Sequence, residues 1–390
     1  MKILITSDWY LPAVNGVVTS VKNLRRELEE RGHEVRVLTL SQNHRSYERD
    51  GVTYLGSVAA GLIYPGARLR TALAGKWVRE IVEWGPDVVH SQCEFSTFFL
   101  ARRIAEELDI PLVHTYHTVY EDYTHYFSPN VRFGKKAAAV FTRWAASHTD
   151  CLIAPTGKVR LLLQGYGVKK PIFVVPSGID LRRFRDEPDP MRGAVLRASL
   201  DIPRERTVLV FVGRLAEEKR VDELLRFRAN MGPGGVTLLL VGDGPDRKRL
   251  EGVAQGLGLA APDVVFAGMV PAEQVADWYQ LGDLFVSAST SETQGLTYTE
   301  ALAAGVPVLC RADPCLLGVV RDGENGWQYH GEAEFRQRLE EFLAHPQRRE
   351  ALCLAARETG EEYSAQRFAE RVESIYLEQI ERGSLRRIPA

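Results

Sequence analysis

The segment at residues 289–307, STSETQGLTYTEALAAGVP, places Glu292 and Glu300 on either side of the start of an Ala-rich helical stretch, with seven residues between them. Carboxylates are poor partners for a bound phosphate, but they accept hydrogen bonds from sugar hydroxyls well. Between the two acids, Gly295, Leu296 and Thr297 open a helix whose first free amides, aided by the helix dipole, suit an anion. Hydroxyl acceptors at both ends and an anion site in the middle match a nucleoside diphosphate sugar. A purely local reading also exists. Thr297 followed by Glu300 has the spacing of a capping box, which would leave Glu292 as an ordinary loop acid.

Two cations belong to the same argument. In FVGRLAEEKRVDELL, Gly213 closes a strand, and Arg214 and Lys219 stand on the loop before a helix beginning near Val221. At the C-terminal edge of a parallel sheet they suit a diphosphate, Arg through forked hydrogen bonds and Lys as a point charge. Alternatively they pair with Glu217 and Glu218 on a solvated loop. LLVGDGPDRKRL supplies Gly242 and Gly244, which permit a tight turn and close backbone approach. Neither half of the chain carries GxGxxG, which argues against a dinucleotide cofactor.

The elements that must position these residues alternate. KILITSDW, VRVLTL, PDVVHSQ, PLVHTYHT and CLIAPT read as strands separated by amphipathic helices, including one over residues 132–148. After a Pro-, Gly- and Asp-rich stretch near residue 176, the series resumes with TVLVFVGRL, VTLLLVGDGP, DVVFAGMV, DLFVSAST and VPVLC. Strand–helix alternation predicts parallel βαβ units. Two such series predict two α/β domains, 1–176 and 177–364, with residues 365–390 as a helix free to pack back on the first. Ligand crevices lie at the C-terminal ends of such strands.

The 390 residues exceed what one core supports. With 45% hydrophobic and 26% charged residues and a net charge of −2, nothing calls for nucleic acid. Residues 1–180 hold 22 Lys+Arg against 18 Asp+Glu, and the remainder 27 against 33, so the first half is mildly basic. Five scattered cysteines, without metal-ligand spacing, favour a reducing compartment and no metal. The opening MKILITSDWY leaves no room for a signal peptide, and no apolar run reaches the length of a spanning helix. The expected location is the cytoplasm.

SETQGLTYTE is similar to the acid, seven residues, acid motif of retaining glycosyltransferases of the GT-B fold, family 4. VVPSGIDLRRF, VGRLAEEK and VGDGP resemble that family's signatures in the same order. The resemblance implies two doubly wound, Rossmann-like domains facing a cleft, and it implies hexosyl transfer from a nucleotide sugar with retention of configuration and without metal. By the same resemblance Glu292 meets the donor sugar, Glu300 the ribose, Arg214 and Lys219 the diphosphate, and backbone around Met269 and Val270 the base. LPAVNGVVTSV resembles the donor-facing Gly loop, with Asn15 where a second glycine often stands and Gly16 left to approach the phosphate. His117 corresponds to the family histidine beside the reacting sugar, whereas His90 and His114 read as hydrogen-bonded structural residues. HTVYEDYTHY resembles the subgroup that glucosylates diacylglycerol, which puts Tyr120, Glu121 and Tyr123 on the acceptor side and makes UDP-glucose the expected donor.

The acceptor reading draws on RFGKKAAAVFTRW as well. At 100° per residue Phe133, Ala137, Val140, Phe141 and Trp144 share one face, with Arg132, Lys135, Lys136 and Arg143 beside it. One reading is a core helix with a solvated basic side. The other is an interfacial helix on an anionic membrane at the inner face, supported by a second basic stretch, ARLRTALAGKWVRE. Rival functions are mannosyl transfer from GDP-mannose, transfer to another acceptor, a nucleotide-sugar 2-epimerase, and a two-lobed solute binder.

Overall fold

A computed structural model describes the chain except for residues 14, 61–67, 72–73, 122–130, 185–189, 233 and 387–390, and except for the side chains of residues 131, 190 and 386. The chain divides into two compact units, Met1–Gly178 with Ala365–Ala390, and Ile179–Ser364.

In the first unit the strands are β1 (Lys2–Thr6), β2 (Glu34–Leu40), β3 (Tyr47–Arg49), β4 (Val52–Leu55), β5 (Ser57–Ala59), β6 (Arg68–Arg70), β7 (Val88–Ser91), β8 (Leu112–Thr115), β9 (Cys151–Ala154) and β10 (Ile172–Val174). Among the described residues eight of them form one sheet in the order β10-β9-β8-β7-β1-β2-β4-β3, parallel except for β3 against β4. The apolar runs that mark β7, β8 and β9 are buried throughout, as expected of strands covered on both faces. The short pairings β3–β4 and β5–β6 and the edge strand β10 were not foreshadowed, because β3 is wholly exposed and carries no apolar alternation.

Helix α1 (Gly16–Glu30) buries Val18, Val21, Leu24 and Leu28, a spacing of three and four that puts one face on the sheet. Asn15 starts it, its side-chain oxygen accepting from the Val18 amide at 3.0 Å. The helices α2 (Gly75–Trp84), α3 (Ser96–Leu108), α4 (Val131–Ser147) and α5 (Gly157–Gly165) follow.

The second unit holds α6 (Pro190–Ser199), β11 (Thr207–Val212), α7 (Val221–Asn230), β12 (Val236–Val241), α8 (Arg247–Gly256), β13 (Val264–Gly268), α9 (Val275–Gln280), β14 (Leu284–Ser287), α10 (Leu296–Ala303), β15 (Val308–Arg311), β16 (Gly326–Tyr329), α11 (Glu332–Ala344) and α12 (Arg349–Glu361). Its sheet runs β13-β12-β11-β14-β15-β16, with β11 pairing in parallel with both β12 and β14. The strand order therefore reverses between β11 and β14. In the first unit it reverses between β1 and β7. Loops leaving the C-terminal ends of those strands flank a crevice, the usual ligand position in open α/β sheets.

The last helix, α13 (Ala365–Arg386), returns to the first unit. Its Phe368, Ala369, Val372, Ile375 and Tyr376 complete a core cluster with Ile3, Ile5, Val21 and Leu24.

Helix α4 corrects one expectation. The core reading placed its aromatic face inward, but the buried positions are Gly134, Ala138, Thr142, Ala145 and Ala146, while Phe133 is 68% and Val140 55% exposed. Small side chains let this helix lie close to the unit; Phe133 and Val140 are left outside, while Phe141 is half-buried and Trp144 packs half-buried against the cluster around Phe98.

Candidate functional site

In the second unit the chain leaves β11 through Gly213, whose φ of 155° disfavours a side chain. Arg214 follows, then a single turn at Glu217–Lys219, and then α7. The Arg214 guanidinium donates to Glu218, the pairing foreseen as the solvated-loop alternative. Lys219 does not share that arrangement. Its ammonium donates to Glu292 Oε1 at 2.5 Å, across the switch point from the loop after β14.

Gly242 and Gly244 do less for a ligand and more for the protein than expected. A Cβ on Gly242 would lie 1.9 Å from the Gly213 carbonyl oxygen, and one on Gly244 would lie 2.2 Å from that of Leu215. These glycines let the loops after β11 and β12 touch. Gly242 also donates its amide to the Gly268 oxygen at 2.8 Å, which ties down the chain just before Met269 and Val270. Met269 is exposed, and Val270 packs on the core.

The capping-box reading of Thr297 and Glu300 is overturned. The N-cap of α10 is Gly295, at φ 76°, so Leu296 and Thr297 are already inside the helix. A Cβ at position 295 would come within 2.5 Å of the Tyr298 ring, so the turn that opens α10 has room only for glycine there. Glu300 faces elsewhere, its Oε2 accepting from the Tyr279 hydroxyl at 2.8 Å. Burial pushes its carboxyl up to about 7, against the Tyr279 hydrogen bond and the charge of Arg183, which pull it down.

In the first unit His117 stands two residues beyond β8, its Nε2 2.7 Å from Gln92 Oε1. His90 and His114 are buried and hydrogen-bonded, His90 to Tyr376 and Thr115, and His114 to Glu94. Tyr120 donates to the other Glu94 oxygen. Glu121 pairs with Lys135 at 3.1 Å, and Tyr123 lies outside the described residues. Gly16 is the first residue of α1.

Several polar groups beside these residues were missed in the sequence. Asp8, two residues past β1, is buried, accepts from the Thr97 amide at 2.8 Å, and has its carboxyl pushed up to about 6 by desolvation. Gln92 and Glu94 follow the end of β7. The available signal was position alone, since each falls just past the C-terminal end of a strand.

Outside these crevices Phe133, Lys136, Ala137, Val140, Phe141 and Trp144 line an open apolar recess of about 520 Å³ on α4. Phe95 of the loop before α3 stacks on Phe141, their centroids 5.6 Å apart, and meets Tyr120 edge-on at 5.8 Å. Exposed Phe99 extends the patch through Trp144 at 5.5 Å. Of the second basic stretch, Arg68 is taken up by Ser41 and Ser57 within the unit, while Lys76 stays exposed. Among the described residues no helix is long and apolar enough to cross a membrane.

Residues 14–183 match the family described as Glycosyltransferase Family 4, and residues 194–359 match Glycosyl transferases group 1. The alpha-monoglucosyldiacylglycerol synthase of Streptococcus pneumoniae is 35% identical over 97% of this chain and 86% of its own length. This chain belongs to the family 4 glycosyltransferases. A second alpha-monoglucosyldiacylglycerol synthase, from Acholeplasma laidlawii, is 32% identical to the glycosyltransferase over 98% of both chains. The fold is GT-B. The sucrose-phosphate synthase of Thermosynechococcus elongatus aligns with a TM-score of 0.75 at 21% identity, covering 97% of the glycosyltransferase and 98% of that chain.

Proposed function

We propose that this glycosyltransferase moves glucose from UDP-glucose to 1,2-diacylglycerol with retention of configuration, while resting on the cytoplasmic face of a membrane without crossing it. The observation that carries the lipid acceptor is the apolar patch on α4, in which exposed Phe133 and Val140 adjoin half-buried Phe141 and Trp144, with exposed Phe95 and Phe99 and Lys136 beside it. A soluble acceptor gives no reason to leave such a patch in solvent. The names of the two relatives point the same way.

On the donor side Lys219 and Glu292 touch. A ligand whose anionic diphosphate adjoins a hydroxyl-rich sugar replaces that contact with two of its own, phosphate to Lys219 and hydroxyls to Glu292. Arg214 serves the diphosphate in the same way, exchanging Glu218 for phosphate oxygen. With the Gly295, Leu296 and Thr297 amides they stabilise the charge that develops on the leaving group, the role assigned here to cations and dipoles rather than to a metal. The base lies along Met269 and Val270, Gly16 serves a phosphate, and His117 borders the sugar. Attack on the same face of the sugar, through an oxocarbenium-like state, accounts for retention. Tyr120, Glu121 and Tyr123 border the acceptor, and Lys135, Lys136, Phe141, Arg143 and Trp144 meet the membrane.

Incubation of the purified protein with UDP-glucose, other UDP-sugars or GDP-mannose and diacylglycerol vesicles tests the reading. The expected product is an α-linked glucosyl lipid formed from UDP-glucose. A mannosyl product, a β-linked one, or transfer only to a soluble acceptor overturns it.

Glu300 gives a pH test of the ribose contact. A carboxyl titrating at about 7 is mostly protonated at pH 6 and mostly ionised at pH 8, and the ionised form accepts from the ribose hydroxyls more strongly, through charge-assisted bonds. UDP affinity of the native protein, divided by that of Glu300→Gln at each pH, rises up to about tenfold across this range, the change in ionised fraction. Calorimetry reads it. A flat ratio removes Glu300 from the ribose.

A further inference from the structure

His117 is held from behind by a continuous line of buried polar groups. Its Nε2 lies 2.7 Å from Gln92 Oε1; the same carboxamide presents Nε2 to His90 Nε2 at 3.0 Å; and His90 Nδ1 lies 2.5 Å from the Tyr376 hydroxyl. Gln92, His90 and Tyr376 are each no more than 1% exposed. A carboxamide oxygen only accepts and a carboxamide nitrogen only donates, so each end of Gln92 dictates the tautomer of the ring it meets. His117 must carry its proton on Nε2. His90 must leave Nε2 bare, where the Thr115 hydroxyl also donates at 2.7 Å, and must carry its own proton on Nδ1, toward Tyr376.

We infer that Gln92 is a positioning residue for His117: it orients the imidazole and fixes it as the Nε2–H tautomer, so that Nδ1 meets a ligand hydroxyl as a hydrogen-bond acceptor. Among the described residues no protein group pairs with that Nδ1, and the ring is partly exposed. The inference deepens the reading of His117 as the histidine beside the donor sugar and rests on it. Tyr376 extends the line into α13, so the last helix anchors this histidine as well as completing a core.

The groups facing His117 decide what pH does. Gln92 is uncharged, and His114 and His90 are the neighbouring titratable rings. Burial, with the neighbouring His114, lowers the His117 ring to about 3, so it stays neutral from pH 5 upward. Gln92→Glu keeps the shape and places an anionic oxygen against Nε2, which favours the charged imidazolium.

Two measurements test the inference. Nitrogen-15 NMR of the intact protein should show His117 as the Nε2–H tautomer, unchanged between pH 5 and pH 8. This arm needs no substrate, so it fails or succeeds independently of the donor and acceptor assays. An Nδ1–H tautomer, or titration in this range, overturns the assignment. In the second measurement, with UDP-glucose saturating so that the Glu300 effect on affinity drops out, Gln92→Glu should give kcat an acid limb that the native kcat lacks, falling about tenfold per pH unit below the raised imidazole pKa. Tyr376→Phe, which keeps the ring and removes the far end of the line, should lower kcat several-fold while leaving KM for UDP-glucose within about twofold. A merely structural role for Gln92 lowers the yield of folded protein and leaves the pH profile in place; that outcome, like equal loss through KM in Tyr376→Phe, overturns the proposal.

Discussion

Lys219→Ala is expected to lower turnover by a factor on the order of 10²–10³, the loss typical of removing one preorganised electrostatic partner of a transition state. The structure places the expected value toward the upper end. Without Lys219, Glu292 loses the ammonium 2.5 Å from its carboxylate and faces the incoming diphosphate as an uncompensated like charge. The double variant Lys219→Ala with Glu292→Gln separates the two contributions, since it removes the repulsion along with the cation. If Lys219 acts on the leaving group, the double variant recovers UDP affinity but little of the turnover. Steady-state kinetics on protein with a native circular dichroism spectrum checks this. Near-normal kcat in folded Lys219→Ala would show that the ion pair is structural and that the diphosphate lies elsewhere.

Membrane attachment is expected to fail in two distinguishable ways. Phe133 and Val140 are the exposed large apolar residues of α4, and inserting a side chain such as Phe into the interface is worth roughly 1.5–3 kcal/mol. Phe133→Ala should therefore weaken sedimentation with neutral and anionic vesicles alike, by about tenfold or more. The cations behave differently. Each is worth about 1 kcal/mol near an anionic surface and is screened by salt. Lys135→Glu with Lys136→Glu should cost on the order of 30-fold on anionic vesicles at low salt, and little on neutral ones or at high salt. Because Lys135 already pairs with Glu121, most of that effect should come from Lys136. Equal binding to both vesicle types, unmoved by either variant, would remove α4 from the membrane account.

The loops that carry the candidate donor residues were legible because they are local. Gly213, Arg214 and Lys219, or Gly295 and Glu300, lie within one strand–loop–helix passage, and such passages advertise themselves through a buried run, a glycine and a polar turn. The same locality misled at Thr297, where capping-box spacing was present but the cap belonged to Gly295. Gly295 sits at φ 76° with the Tyr298 ring folded against it, a conformation and a contact that spacing does not encode.

The sequence by itself determined two series of parallel strands and the loops on which the candidate donor residues stand, because alternation of buried runs and amphipathic helices is a property of neighbouring residues. Tertiary structure alone decided which of those residues meet. Lys219 finds Glu292 across 73 residues, and His90 finds Tyr376 across 286, because strand order brings distant loops to one crevice and returns the last helix to the first sheet. It decided the meaning of α4 as well. Periodicity revealed an aromatic face, but whether protein or solvent covers a face depends on what packs against the helix, and here Gly134, Ala138 and Ala145 took the inner side.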